Sequence, residues 1–241
     1  MKRLYLSVLL LLLISAATVR GQAALLVLIF GEKAATENFH FSMKLGATYS
    51  IIHGYEEGKN AFSLNFGVVN NIKLSDRYTL IAEFLPFATR KIRNIPVLTT
   101  GDTHLDQLLI QVESTDRKLN YVDVPVLLKM KLSERFSISA GPQFSFLVSA
   151  EDIYKSAPRS GTVLTTNLDI LPELRRFDAG AAVDLMYILV PPKGGKGINL
   201  FVRYARGFVG IVKDENSPRY TSSTIQFGAT FPFVEKENGP Q

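Results

Sequence analysis

Three histidines, His40, His53 and His104, are the side chains of this chain best suited to proton transfer near neutral pH. A Ser or Thr nucleophile would need one of them within hydrogen-bond reach, itself oriented by an acid. His53 has Glu56 and Glu57 close in sequence, and His104 lies between Asp102 and Asp106. The run Asp102-Thr103-His104-Leu105-Asp106 carries ligands for weak cation binding, but its composition is that of a solvated polar loop, and we read it as one. Cys is absent, which excludes disulfides, Cys-ligated zinc, Cys nucleophiles and a lipid-modified N-terminal Cys. There is no HExxH, no GxSxG and no phosphate-binding loop. Gly194-Gly195-Lys196-Gly197 lacks the Walker spacing and a following helix, and reads as a hairpin turn. The expectation is a protein with no catalytic residue, no cofactor and no metal.

A second group of charged residues is more interesting. Glu83, Asp123 and Asp184, with Lys44, Lys129 and Arg203, all fall at polar-face positions of alternating segments. Unpaired charges in a narrow interior are costly, so these residues are expected to pair into a salt-bridge network rather than to catalyse. Asp123, two residues before Pro125, is the member most open to another role.

The elements that would position these groups are strands. Phe136 to Val148 alternates with period two: Phe136, Ile138, Ala140, Pro142, Phe144, Phe146 and Val148 share one face, and Ser137, Ser139, Gly141, Gln143, Ser145 and Leu147 the other. Eight such segments occur, at 39–52, 61–74, 77–88, 118–132, 136–149, 175–190, 198–210 and 220–233. Most exceed the roughly 9–11 residues with which a tilted strand crosses a bilayer. Lys73-Leu74-Ser75-Asp76-Arg77-Tyr78 is echoed by Lys131-Leu132-Ser133-Glu134-Arg135-Phe136, each marking a tight turn before a strand that opens with an aromatic. Short connections (75–76, 133–135, 191–197) alternate with 53–60, 89–117, 150–174 and 211–219, which are mostly longer and more polar. Outer-membrane barrels show that alternation, with tight periplasmic turns and longer external loops.

The N-terminus has the three parts of an export signal: Lys2 and Arg3, the apolar run Leu4 to Ala17, then small residues, with cleavage after Gly21 or after Ala23. Residues 1–21 hold Lys2, Arg3 and Arg20 and no acid, so their removal lowers the formal charge from +5 to +2. The basic balance therefore gives little reason to expect nucleic acid as a partner. The organisation expected is a signal peptide (1–21), a lead-in (22–38), one barrel (39–233) and a tail (234–241).

Which face points inward decides the class. The polar faces carry small residues suited to a narrow lumen, including Gly46, Gly67, Gly141, Gly180 and Gly228, and charges of both signs. The apolar faces carry Phe62, Phe66, Phe84, Phe144, Phe146, Phe227 and Phe231, too bulky to share an eight-strand interior. The apolar faces must then point to lipid. Tyr49, Tyr78, Phe136, Tyr187 and Phe233, near strand ends, are placed for interfacial girdles.

Leu119-Asn120-Tyr121-Val122-Asp123-Val124-Pro125 resembles the Tyr-hydrophobic-acidic-hydrophobic-Pro strand of the PorT-like outer-membrane β-barrel family. Ala140-Gly141-Pro142 and Lys44-Leu45-Gly46 are similar to two further strands of that family. The resemblance implies an eight-stranded barrel in the outer membrane of a Gram-negative cell. The founding member is associated with type IX secretion, and that role is not carried over here.

The reading is an all-β protein, an eight-stranded antiparallel up-and-down transmembrane β-barrel in the cell outer membrane. An eight-strand lumen is filled by side chains, so no open pore is expected. A structural or envelope-interaction role would sit in the external loops 89–117 and 150–174, the first of which opens with the basic run Thr89, Arg90, Lys91 and Arg93. The expected partners are outer-membrane lipid and other envelope proteins. The alternatives are a lipid-modifying enzyme, a secretion accessory factor, and a soluble exported barrel with an apolar ligand inside.

Overall fold

The computed structural model describes residues 39–55, 58–95, 114–156, 164–193, 196–214 and 219–233. They form β1 (Phe39–His53), β2 (Lys59–Lys73), β3 (Tyr78–Ile95), β4 (Ser114–Lys131), β5 (Phe136–Ser156), β6 (Leu164–Asp169), β7 (Phe177–Lys193), β8 (Lys196–Gly207) and β9 (Thr221–Phe233). A single 3-10 turn, Leu171–Glu173, is the one helical element among the described residues. The sheet order is β4-β3-β2-β1-β9-β8-β7-β5-β6, and β4 also pairs with β5, which closes eight of the strands into an antiparallel barrel. The short β6 pairs only with β5, beyond the point where β5 leaves β7. It is a ninth strand that alternation alone does not reveal.

The apolar faces point outward. Leu64, Phe87 and Phe62 are 75%, 64% and 61% exposed, whereas Leu127 on the opposite face of its strand is fully enclosed. An outward belt of this kind is stable only against hydrocarbon, and a soluble barrel with an apolar ligand inside is excluded by it. At the end carrying the short turns, Phe136 and Tyr187 pack at 4.9 Å between ring centroids, and Arg135 Nη1 donates to the Tyr187 hydroxyl at 3.2 Å. That is girdle geometry, with an apolar ring body and a wet tip.

The two echoed turns are the same device. Ser75 Oγ accepts from the Tyr78 N–H at 3.1 Å, and Ser133 Oγ accepts from the Phe136 N–H at 3.1 Å. In each case two further backbone N–H groups donate to the aromatic residue's carbonyl. In the first turn, a hydrogen bond from Lys73 and its charge hold the Asp76 carboxyl below the ordinary carboxylate range.

The walls are uneven in height. β8 and β9 have 12 and 13 residues, close to a bilayer crossing, while β3, β4 and β5 have 18, 18 and 21. The tall side therefore rises past the membrane at the end opposite the short turns, which is the outer side in barrels of this type. The sequence pattern ends three strands too early there, at 88, 118 and 149. Register shifts between Leu85 and Ala88 on β3, and beside Asn120–Tyr121 of β4, break the alternation that the pattern follows. Residues 89–95, 114–117 and 150–156, read from sequence as loop, are strand.

The lumen is filled in two styles. Toward the outer mouth Leu85, Ile92, Leu119, Leu147, Ile170 and Ile211 belong to one apolar cluster. The connection after β6 folds over it, fastened by the Ile170 N–H to the Ala150 carbonyl and the Arg175 N–H to the Ile211 carbonyl. Gly54 helps: at φ 104° it adopts a backbone that favours glycine, and a Cβ there would lie 2.7 Å from the Tyr220 ring. Below this cap the interior is mostly polar, with a smaller apolar cluster of Val69, Ile81, Leu127, Ala182 and Ala205.

Gly141 shows how tightly the wall is drawn. A Cβ on its inward side would run into the Val126 carbonyl oxygen of β4 and crowd Leu127 Cα. The neighbouring Ala140 faces outward and is exposed. Gly141→Ala is expected to cost about 1–3 kcal/mol through overpacking, and Ala140→Val close to nothing. The temperature at which the compact SDS-resistant band disappears on gels measures both.

Candidate functional site

The residues singled out for an interior network do meet. Arg203 of β8 donates to Asp184 from Nε and Nη2 at 2.5 and 2.6 Å, and to Glu83 from Nη1 and Nη2, both at 2.7 Å. Lys44 of β1 donates to the same Glu83 at 3.0 Å and lies 4.1 Å from the centre of the Phe201 ring. Two cations thus face two carboxylates, and all four residues are buried. The planar guanidinium bridging two carboxylates is what a lysine in its place would not achieve.

Asp123 belongs to a second cluster, whose centre the sequence reading misplaced. Arg90, expected in an external loop, is a buried residue of β3 pointing into the lumen. Its guanidinium donates to Asp123 at 3.0 Å, Ser145 at 2.8 Å, Ser222 at 2.9 Å and Asp178 at 3.4 Å. It also lies over the Tyr121 ring at 4.0 Å. The Tyr-Val-Asp-Val-Pro strand therefore turns two side chains toward one arginine. The bulge after Leu85 is the reason Arg90 was missed, since it shifts the inward register from Glu83 and Leu85 to Ala88 and Arg90. Lys129 joins neither cluster and is in none of the ion pairs of the described residues.

A third layer sits at the outer mouth. Arg117 meets Asp152 through two bonds of 2.7 Å and donates to the Tyr55 hydroxyl at 2.6 Å. Burial pushes the Tyr55 hydroxyl up to about 12, so it stays a neutral phenol there. Asp116 is paired with Lys155 at 2.9 Å and is 3.9 Å from Lys91. Arg93 is exposed on the outward side of the projecting β3.

The histidines separate. His40 lies near the short-turn end of β1, half-buried. His104, with Asp102 and Asp106, lies outside the described residues, as do Glu56 and Glu57. His53 is not in a loop: it is the last residue of β1, on the outward parity of Leu45 and Ile51. There its Nε2 is 2.9 Å from Ser223 Oγ and 2.6 Å from Arg206 Nη1. Arg206 also donates to Ser223 Oγ at 3.1 Å and to Thr221 Oγ1 at 3.3 Å, and the Tyr204 hydroxyl is 3.2 Å from Ser223. Sequence reasoning missed Arg206 and Ser223. The available signal was polarity at a lipid-facing parity beside a strand end.

A Ser beside a His has the outline of a nucleophile and its base, but the electrostatics run the other way. Arg206 donates to Nε2 and so occupies the lone pair that would take the serine proton. Among the described residues no carboxylate contacts His53 to orient it or to stabilise an imidazolium. What the arrangement offers is a cation, Arg206, held by the acceptors His53, Ser223 and Thr221.

Comparison with known proteins agrees with the architecture. The family described as "Outer membrane protein beta-barrel domain" matches residues 29–213. Among solved structures, Neisserial surface protein A is 10% identical, with a TM-score of 0.43 over 80% of this chain and 96% of its own. OprG of Pseudomonas aeruginosa is 11% identical, with a TM-score of 0.41 over 83% of this chain and 98% of its own. Ail, the attachment invasion locus protein of Yersinia pestis, is 12% identical, with a TM-score of 0.39 over 82% of this chain and 100% of its own. No curated protein matches. The closed barrel, its outward apolar belt and the family match over 29–213 lead to one conclusion: the chain belongs to the outer membrane protein beta-barrel domain family and resides in the cell outer membrane.

Proposed function

We propose that this is a plugged, non-enzymatic barrel whose role is carried by its outer face, as a structural or interaction element of the envelope. The observation that carries the reading is the filled lumen. The ionic layers of Arg203 and Arg90 lie below the apolar cluster that stands at the mouth. The cavity between Arg90, Gln143, Ser145 and Asp178 measures only about 10 Å³, around the space of one water. A solute path would have to break two buried ion clusters.

The projecting β3–β6 sheet supplies the surface for such a role. It carries the exposed Arg93 and Asn167, and the exposed Lys59 of β2 pairs beside Arg93. Placement in the PorT-like subgroup is part of this proposal, supported by Tyr121 and Asp123 meeting at Arg90. A secretion-accessory role would put the partner on the periplasmic side instead. Photo-crosslinking residues placed at Arg93, Asn167 and the exposed turn residue Glu134 separate the two. Adducts from positions 93 and 167 are expected, and adducts from 134 alone would overturn the outer-face reading.

The closed lumen has its own measurement. The full-length protein in planar bilayers is expected to show no steady conductance, and step-wise ion currents would sink the plugged reading.

Arg203→Met leaves Glu83 and Asp184 facing each other with only Lys44 between them. It is expected to cost about 3–5 kcal/mol, with a smaller loss for Lys44→Met because Glu83 keeps Arg203. Urea unfolding in micelles reports both.

A further inference from the structure

The outer wall carries a cationic groove at the top of its short side. Val202 and Tyr204 on β8 and Ile225 on β9 are exposed members of the lipid-facing belt. One outward step beyond them stand Arg206, Ser223 and, on β1, His53. The groove over them has a volume of about 380 Å³, lined by His53, Arg206, Gly207, Phe208, Arg219 and Thr221. We propose that this groove binds the phosphate of an anionic lipid headgroup in the outer leaflet.

Charge is the first argument. Arg90, Arg117 and Arg203 are each paired with a carboxylate inside the barrel. Arg206 and Arg219 line the groove, and neither is in an ion pair of the described residues. Arg206 is nevertheless held in place by Ser223, Thr221 and His53, so little freedom is left to lose when an anion arrives. Arg219 donates to the Phe208 carbonyl at 2.5 Å, which turns it along the same groove. Two guanidinium groups and the Thr221 hydroxyl lining one groove suit the oxygens of a phosphate.

Depth and size select a headgroup over a free ion. The groove begins where the apolar belt ends, at the level of the headgroups. Phe208, 55% exposed, flanks it and offers contact to an acyl chain. The volume falls within the ~300–1,000 Å³ of small-ligand sites, more than a lone phosphate needs. The inference goes beyond the proposed function: it needs the barrel in its membrane but does not depend on the closed lumen.

The test uses the full-length protein, incubated with phosphatidylcholine vesicles that contain phosphatidic acid, followed by native mass spectrometry of the retained lipid. Wild type is expected to retain phosphatidic acid over phosphatidylcholine by about tenfold, the scale of losing one charge-assisted contact set. Arg206→Gln with Arg219→Gln is expected to bring that preference to within about twofold, while Arg93→Gln on the projecting sheet leaves it intact. Retained preference in the double variant would overturn the site. Inorganic phosphate displacing the lipid at equal concentration would overturn the headgroup in favour of a soluble phosphate. Heat-dependent gel mobility confirms that each variant is a closed barrel. Should the double variant not close, Arg219→Gln alone, on an exposed residue that among the described residues donates to the Phe208 carbonyl, carries the same test. Failure of wild type itself to enter vesicles would count against the barrel, not the groove.

Discussion

Hydrocarbon offers no partner to an unpaired peptide group, and this constraint governs the rest of the molecule. A sheet that crosses a bilayer must leave no edge, and here β1 closes against β9 through an unbroken register from Phe41–Phe233 to His53–Thr221. Once the sheet is closed, the usual arrangement of side chains is reversed. Phe62, Leu64 and Phe87 belong outside, and the charged residues have only the lumen left. The glycines of the inner face follow from the same closure, because eight strands wrap too tightly for every position to carry a side chain.

A lumen this narrow favours charges that meet partners of opposite sign. Arg203 and Lys44 against Glu83 and Asp184 make one such group. Arg90 against Asp123 and Asp178 makes another, helped by hydroxyls and by the Tyr121 ring. Arginine sits at the centre of each because one planar fork can satisfy several acceptors at once. Arg206 inverts that logic. It has the same side chain, fixed just as firmly, yet it faces out from the wall with hydroxyls and an imidazole for company instead of a carboxylate.

Much of this was legible in the sequence, for a physical reason. A strand between lipid and a polar lumen must alternate, so the eight barrel strands and the inward set Lys44, Glu83, Asp184 and Arg203 could be read directly. The pattern failed where its cause ends. Above the membrane β3, β4 and β5 no longer separate lipid from lumen, and bulges shift their parity, so Arg90 was read as loop. The outer-wall cluster was illegible for a different reason. His53 lies 153 residues from Arg206 and 170 from Ser223, and only the β1–β9–β8 register brings them together.

The pairing of the first strand with the last also has a consequence in time. Neighbouring strands such as β2 and β3 can meet as soon as they exist, whereas β1 must wait for the C-terminal segment to be made. Until then β1 and the most recently formed strand both present open edges, in a chain whose outer surface is already greasy. Closure of the ring between β1 and β9 is therefore the one pairing that no earlier segment of the chain can complete.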